Sequence, residues 1–509
     1  MFFPESRPVA KLESCLQMPL KITNSQSKHK EVFVPLEPPR VGLYVCGVTV
    51  YDSCHIGHAR SMIAFDVLVR FLRHKGYQVT YVRNFTDIDD KIIARAQKEG
   101  LEPQNLAEIY IKEFGEDMKA LGVLPPDVEP RATDHIPDIL LLIRKLVDQG
   151  AAYVVDGDVF FAVEKFSSYG ILSNRSLEEM QAGARIEVDP RKHHPMDFAL
   201  WKRGKPGDPV WESPWGPGRP GWHIECSAMS TRYLGETFDL HGGGKDLIFP
   251  HHENELAQSM AVSGKPLARY WVHNGFVTIQ GEKMSKSLGN FLTIREMVRR
   301  FHPEAIRLFL LSCHYRSPLD YTDQAMQDAQ GGLQRLYSLL LDLQNPKARP
   351  QAKGGEKVRP EQIQEAEAAV KNFREKCEEA LEDDFNTAQA IGYFFDLAKQ
   401  LNRLMDRLKA QEMDLLAHPF QLAVQSLRQY GEILGILTLP PESYFSQEKG
   451  RLLAKKGLSP ERVENLILER NQARQEKDWS RADALRDQLK EMAVILKDTP
   501  QGTHWWVQE

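Results

Sequence analysis

The chain has 509 residues, enough for three or four domains with apolar cores. Its 65 Lys and Arg residues and 70 Asp and Glu residues give a net charge of −5, which argues against a sequence-blind nucleic-acid coat. Six scattered cysteines do not form a disulfide framework and favour a reducing compartment. No apolar run is long enough for a membrane span, and residues 1–15 lack the apolar stretch of a signal peptide. A soluble, cytoplasmic protein fits these bounds.

The first predicted elements alternate between strand and helix. Residues 1–20, with Pro4 and Pro8 and no periodicity, are predicted to be a flexible extension. Between residues 40 and 125, apolar runs predict strands and helical periodicity predicts helices. The strands are Val41–Val50 and Val79–Val82, and the helices are Ser61–His74 and Lys91–Glu99. This alternation predicts an α/β fold with a parallel sheet covered on both faces.

Residues 130–220 break the alternation. Tyr153–Phe161 predicts a hairpin that turns at Asp156-Gly157, and the Gly- and Pro-rich run Arg203–Pro220 predicts little regular structure. The α/β pattern then returns over residues 221–280. We therefore predict one doubly wound sheet in two halves, residues 21–129 and 221–280, separated by an insertion.

Beyond Arg316 the sequence is helical. Four segments have apolar residues at spacings of three and four, and they predict an α-helical bundle over residues 324–440. Residues 450–509 predict a small α+β module, with two charged helices and a terminal hairpin. The bundle helices are Gln324–Leu343, Pro360–Leu381, Ala388–Lys409 and Pro419–Leu437; those of the module are Pro460–Glu476 and Ser480–Met492; the hairpin strands are Val494–Lys497 and Trp505–Val507.

Two short strings about 225 residues apart carry the strongest chemical signal, His55-Ile-Gly-His58 and Lys283-Met-Ser-Lys-Ser287. The first string joins a predicted strand to a predicted helix, whose N-terminus suits a phosphate group. Gly57 allows a base or phosphate to approach the backbone, and the two imidazoles can donate hydrogen bonds to phosphoryl oxygens. The second string offers two ammonium groups to the charge of a leaving pyrophosphate. The alternatives are a pair of core histidines and a solvated lysine loop.

Further strings accompany this pair in a fixed order. They are Tyr44–Asp52, Asn84–Lys91, Gly221–Ser227, His241–Asp246, Phe249–Glu255, Asn274–Val277 and, near the end, Asp498–Thr503. Together they resemble the cysteinyl-tRNA synthetase family of class I aminoacyl-tRNA synthetases, from about Leu20 to the end of the chain. The resemblance implies a Rossmann-type catalytic domain and a ligase whose substrates are ATP, L-cysteine and cysteine tRNA. It also makes residues 281–323 a lysine-motif loop and stem-contact region, residues 324–440 a tRNA-binding bundle and residues 450–509 an anticodon-binding module of a monomer.

The resemblance also implies roles for individual residues. The catalytic residues would be His55, His58, Lys283 and Lys286. ATP, with Mg²⁺, would be bound by His55, Gly57, His58, Gly244, Asp246, Val277 and Lys286. One Zn²⁺ would be bound by Cys46, Cys226, His251 and Glu255, and cysteine by Cys46, Thr86, Trp222 and His251. Spacing alone does not reveal the metal site, because its ligands are spread over more than 200 residues. Without the resemblance, the cysteines are buried thiols, His251 and Glu255 are a helix-face pair, and Trp222 is a core residue.

Zinc would solve a problem of substrate choice. Cysteine and serine differ by one atom, and the shape of a pocket rejects such a near-isostere by only about a hundredfold. Zinc prefers a thiolate to a hydroxyl group, so a metal-based filter needs no second, hydrolytic site.

Two alternative functions stay open at this stage. The first is a cysteine:amino-sugar ligase of the mycothiol type, which resembles the same core but lacks the anticodon module. Asp498–Thr503, with Trp505 and Trp506, argues against it. The second is a catalytically inactive paralogue that binds tRNA or an amino acid, and the intact ATP motifs and proposed metal ligands argue against that function.

Overall fold

The computed structural model describes residues 19–183, 189–283, 291–349, 355–499 and 502–507. Its first part is the predicted strand–helix alternation, preceded by two short antiparallel strands. β4 extends to Thr86, beyond the predicted end at Val82. The elements are β1 (Lys21–Thr23), β2 (Lys30–Val32), β3 (Arg40–Thr49), α1 (Ile56–His74), β4 (Gln78–Thr86), α2 (Asp90–Glu99) and α3 (Pro103–Ala120).

The insertion between the two halves of the sheet has its own antiparallel sheet and apolar core. It contains α4 (Ile136–Asp148), β5 (Ala152–Val155), β6 (Asp158–Phe161), α5 (Leu177–Gly183), β7 (Phe198–Arg203) and β8 (Gly218–Pro220), with strand order β5-β6-β7-β8. The hairpin is confirmed, since β5 pairs with β6 and both Asp156 and Gly157 have positive φ, as this turn requires. The prediction for Arg203–Pro220 is wrong at its end. There Gly218–Pro220 pairs with β7 as an edge strand, a position that tolerates proline.

The second half of the central sheet follows the insertion. It contains α6 (Trp222–Leu234), β9 (Phe238–Gly244), α7 (Glu253–Ser263) and β10 (Ala268–Asn274). The four central strands are parallel in the order β10-β9-β3-β4. The chain runs from β3 out to β4 and returns to β9 on the other side of β3. The predicted doubly wound fold is therefore confirmed, and its ligand crevice is expected beyond the carboxyl ends of β3 and β9.

A second small sheet and a set of helices share one apolar core with the central sheet. The elements are β11 (Val277–Ile279), β12 (Glu282–Lys283), α8 (Ile294–Arg300), α9 (Pro303–Leu311), β13 (Leu319–Tyr321), α10 (Asp323–Gln344), α11 (Pro360–Glu382), α12 (Thr387–Arg407), α13 (Ala417–Leu434) and α14 (Pro441–Lys455). The four predicted bundle helices correspond to α10–α13. The sequence predicts no element at α14, yet its Tyr444 ring stacks on Tyr337 of α10 at 3.9 Å. No helix among the described residues is long and apolar enough to cross a membrane.

The C-terminal part is a small helical pair beside a hairpin. It contains α15 (Pro460–Gln475), α16 (Trp479–Glu491), β14 (Val494–Thr499) and β15 (Gly502–Val507), as the periodicity predicts. The hairpin is antiparallel, with Leu496 opposite Trp505. Val463, Leu489 and Val494 form part of its buried core, and Leu453 of α14 joins them. α14 thus connects the bundle to this module.

Candidate active site

A bulge in β3 shapes the floor of the site. The pairing of β3 with β4 shifts register between Val45 and Val48. At this point the side-chain oxygen of Asn84 accepts a hydrogen bond from the Gly47 N–H at 2.9 Å. Gly47 lies so close to β4 that a Cβ atom would be 1.6 Å from the Asn84 carbonyl oxygen. Only glycine fits here, and the bulge sets the direction of the neighbouring Cys46 side chain.

Four buried side chains from distant parts of the chain meet beside this bulge. The Sγ atom of Cys46 lies 3.8 Å from the Sγ atom of Cys226 and 3.3 Å from an oxygen of Glu255. The Nε2 atom of His251 lies 3.0 Å from the same Glu255 oxygen. One ligand atom from each of these residues lies within 4.8 Å of the others. The structure therefore brings together the four predicted metal ligands, from β3, α6, the turn before α7 and α7 itself.

The chemistry of this group fits a divalent cation. Two thiols, one imidazole and one carboxylate are the donor types that zinc accepts. Burial raises the pKa of Cys46. Against the effect of burial, Glu255 and Cys226 raise the pKa of His251 to about 10. A cation would replace these protons, because only thiolates and neutral rings have a lone pair to give.

A second set of possible ligands overlaps the first. Cys46, Glu255, His241 and His252 also have ligand atoms within 4.8 Å of one another, and the Nε2 atom of His241 lies 2.9 Å from the second Glu255 oxygen. The two sets share Cys46 and Glu255, so both cannot hold an ion with a full set of ligands. The set that includes Cys226 has the softer donors and suits zinc better. His241 and His252 have no sequence-predicted role, although both lie in the strings that carry the resemblance.

One cavity of about 500 Å³ lies above the carboxyl ends of β3 and β9. It is bordered by eight of the predicted site residues: Cys46, His55, Gly57, His58, Trp222, Gly244, Asp246 and Val277. Polar residues without a predicted role also border it, among them Asp52, Ser61, Lys91 and Asn274. The predicted metal ligand Cys46 and six of the seven predicted ATP-binding residues thus line a single space.

The two histidines of the first string are fixed by the start of α1. The Nδ1 atom of His55 accepts a hydrogen bond from the Gly57 N–H at 3.0 Å, and that of His58 accepts one from the His55 N–H at 3.2 Å. The rings stack at 3.8 Å. Burial lowers the pKa of His55 to about 4 and that of His58 to about 3. Each ring is therefore neutral at pH 7 with its proton on Nε2, which is a hydrogen-bond donor.

Other predicted residues also border the cavity. A Cβ atom on Gly244 would be 2.3 Å from a side-chain oxygen of Asp246, so only glycine leaves that carboxylate in place. Val277 is buried at the start of β11. Trp222 is 36% exposed and its ring stacks on His251 at 4.4 Å, which rules out the core alternative.

The remaining predicted residues are Thr86, Lys283 and Lys286. Thr86 is buried at the end of β4, and its hydroxyl donates to Glu225 at 3.0 Å. Thr86 is not among the described residues that border the cavity. Lys283 lies in β12, and its backbone pairs with that of Thr278 in β11. Lys286 lies outside the described residues.

Comparisons with known proteins give matches along most of the chain. Residues 32–331 match the family model of the class I (C) tRNA synthetase catalytic domain, residues 376–438 the DALR domain, and residues 457–505 the cysteinyl-tRNA ligase anticodon binding domain. The chain is 53% identical to the cysteine–tRNA ligase of Geobacter metallireducens, over 96% of this chain and 100% of the relative. The cysteine–tRNA ligase of Geobacter sulfurreducens is also 53% identical over the same shares.

A solved structure supports the fold alone. Mycobacterium tuberculosis methionyl-tRNA synthetase in complex with methionyl-adenylate superposes with a TM-score of 0.60 and 17% identity, covering 83% of this chain and 94% of that chain. The likeness in fold, the family models and the near-full-length identity agree. The chain belongs to the cysteine–tRNA ligase family of class I aminoacyl-tRNA synthetases.

Proposed function

We propose that the chain is a cysteine–tRNA ligase. It activates L-cysteine with ATP to give cysteinyl-adenylate and pyrophosphate, and then transfers the cysteinyl group to the 3′-terminal adenosine of cysteine tRNA. The observation that carries this proposal is the single cavity, which is bordered by Cys46 of the buried donor group and by the His55–His58 helix terminus. A site that joins cysteine to ATP needs these two chemistries side by side.

ATP binding uses the start of α1 and the ends of the neighbouring strands. The Nε2–H groups of His55 and His58 donate to phosphoryl oxygens, and Gly57 lets the nucleotide approach the backbone. These neutral donors stabilise negative charge together with the helix N-terminus.

The other end of the nucleotide is held by three residues from β9, the turn after it and β11. Asp246 accepts hydrogen bonds from the ribose hydroxyls, with Gly244 keeping its carboxylate in place. Val277 presents backbone groups to adenine. Mg²⁺ enters with ATP, and Lys283 of β12 and Lys286 stabilise the leaving pyrophosphate.

Cysteine selection rests on the buried donor group. Zinc held by Cys46, Cys226, His251 and Glu255 would supply a soft Lewis acid that prefers a thiolate to a hydroxyl group. Trp222 and Thr86 flank the amino acid. The indole of Trp222 borders the cavity while its ring stacks on His251, and the hydrogen bond from Thr86 to Glu225 fixes the threonine side chain.

No side chain needs to form a covalent intermediate. The cysteine carboxylate attacks the α-phosphorus, a new P–O bond forms, and the bond to pyrophosphate breaks. A ribose hydroxyl of the terminal adenosine then attacks the carbonyl carbon of the mixed anhydride, and AMP leaves. The protein accelerates both steps by holding the reacting groups in place and stabilising charge.

The acceptor is tRNA rather than an amino sugar. The match of residues 457–505 to an anticodon binding domain supports this choice, since a ligase for a small acceptor has no use for one. The free thiols Cys46, Cys54, Cys226, Cys313 and Cys377 are consistent with a reducing compartment, so we place the enzyme in the cytoplasm. We further propose that it acts as a monomer.

ATP–pyrophosphate exchange on the purified protein tests the first step. We expect exchange that depends on cysteine, and serine at the same concentration should support less than about one-hundredth of it, because shape alone already gives about that discrimination. Charging of bulk tRNA with labelled cysteine tests the second step. Exchange that is equal with cysteine and serine, or charging with another amino acid, would refute the proposal.

A further inference from the structure

His223 has no sequence-predicted role, yet it contacts a proposed metal ligand. It is the second residue of α6, directly after Trp222. The Nδ1 atom of His223 lies 2.9 Å from the Nδ1 atom of His251, and the Trp222 ring stacks on the face of the same imidazole. Consecutive residues of the first turn of α6 therefore hold His251 at its edge and on its face.

The positions of the protons on this pair follow from the geometry. The other ring nitrogen of His251, Nε2, lies 3.0 Å from Glu255 within the buried donor group. To coordinate a metal there, Nε2 must offer its lone pair, so the single proton of the neutral ring is on Nδ1. Two nitrogens 2.9 Å apart cannot both carry protons between them. His223 Nδ1 is therefore the acceptor, and the His223 proton is on its Nε2.

The ring of His223 is itself oriented by the insertion. The Phe198 ring, from β7, makes a T-shaped contact with the His223 ring, with a centroid distance of 5.5 Å and an angle of 86°. Phe198 in turn stacks on Phe161 of β6 at 5.0 Å. These ring contacts restrict rotation of the His223 side chain away from His251.

We propose that His223 is a positioning residue for the zinc site: by accepting a hydrogen bond from the Nδ1–H of His251, it fixes the tautomer and the ring orientation in which Nε2 binds the metal. The proposal rests on the zinc role given under the proposed function. Partners that hydrogen-bond to a metal-binding histidine raise its basicity, and their loss typically weakens metal affinity by about 10–100-fold.

Two variants separate hydrogen bonding from packing. His223→Leu fills the space without an acceptor, whereas His223→Asn places an amide oxygen close to the position of Nδ1. The zinc dissociation constant of each purified full-length protein is measured by competition with a chromophoric chelator, and thermal melting monitors folding. We expect the Leu variant to bind zinc at least tenfold more weakly than wild type, and the Asn variant to remain within about threefold.

Three results would overturn the proposal. If the Leu variant binds zinc as tightly as wild type, His223 has no role in the site. If the Asn variant is as weak as the Leu variant, the ring contributes packing rather than an acceptor. If wild type binds no zinc, both His223 and the zinc role fail, but cysteine-dependent pyrophosphate exchange still tests the ligase activity separately.

Discussion

Replacing Gly47 with alanine should disable cysteine activation while leaving most of the fold intact. A Cβ atom at this position would lie 1.6 Å from the Asn84 carbonyl oxygen, whereas ordinary contacts begin at 3.4 Å. β3 and β4 must therefore separate by about 1.8 Å at the bulge. Such overpacking typically costs about 1–3 kcal/mol of stability.

The cost to activity follows from the position of the neighbouring Cys46. A displacement of about 1 Å in a positioned group lowers the rate about 100-fold, or about 2.7 kcal/mol of barrier. The assay is cysteine-dependent pyrophosphate exchange at equal concentrations of folded protein, with zinc content measured on the same samples. We expect kcat/KM for cysteine to fall at least 100-fold in Gly47→Ala and zinc occupancy to fall with it.

Gly42→Ala is the matched control, because Gly42 is in the same strand. Its Cβ atom would meet Leu234 and Phe238 at 3.4 Å, an ordinary contact. We expect activity within about threefold of wild type and a similar melting temperature. If Gly47→Ala folds and keeps more than a tenth of wild-type activity, the bulge does not position Cys46 as we argue.

Three further predictions concern the nucleotide site and the tRNA. Lys286→Ala should raise the barrier to adenylate formation by roughly 3–4 kcal/mol with little change in cysteine binding, and Lys283→Ala should be milder; an activation rate within about threefold of wild type would show that the loop is not catalytic. Removal of residues 457–509 should leave pyrophosphate exchange largely intact and impair charging, because the sheet and the cavity lie outside this segment and α14 is kept whole; unchanged affinity for tRNA would contradict the anticodon role. The folded protein holds His55 and His58 neutral, with pKa values of about 4 and 3, whereas the unfolded chain protonates both near pH 6.5. Their contribution to stability is therefore complete above pH 6.5 and is lost as the pH falls through 4 to 3. Because both rings stay neutral from pH 6 to 8, the KM for the magnesium complex of ATP should be flat over that range, and a change centred near pH 6.5 would refute the neutral-donor role.

Local patterns predict the elements of this fold well. The hairpin at Asp156-Gly157 and helices α10–α13 follow from turn chemistry and apolar spacing, which involve neighbouring residues only. α14 has no such prediction, because its burial depends on contacts such as that of Tyr444 with Tyr337 of α10, more than 100 residues earlier. The strand at Gly218–Pro220 likewise depends on its partner β7 rather than on its own composition.

The site is less accessible to sequence reasoning. Cys46 and Glu255 are 209 positions apart, and the parallel pairing of β3 with β9, the strand that precedes α7, brings them together. His223 and His241 contact side chains that are distant in the sequence, His251 and Glu255 respectively, so no pattern of spacing marks them. The bulge at Gly47 can be inferred from the sequence, since a glycine inside an apolar strand indicates a bulge or a close backbone approach.

Zinc content measured together with activity tests whether the buried group of Cys46, Cys226, His251 and Glu255 binds the metal that selects cysteine. Metal per chain is determined by mass spectrometry on wild type and on Cys226→Ala, and cysteine-dependent pyrophosphate exchange is measured on the same preparations. We expect about one zinc per wild-type chain, and loss of both zinc and cysteine activation in the variant. Fully active wild-type enzyme without metal, or full cysteine activation by Cys226→Ala, would show that cysteine selection does not depend on this metal site.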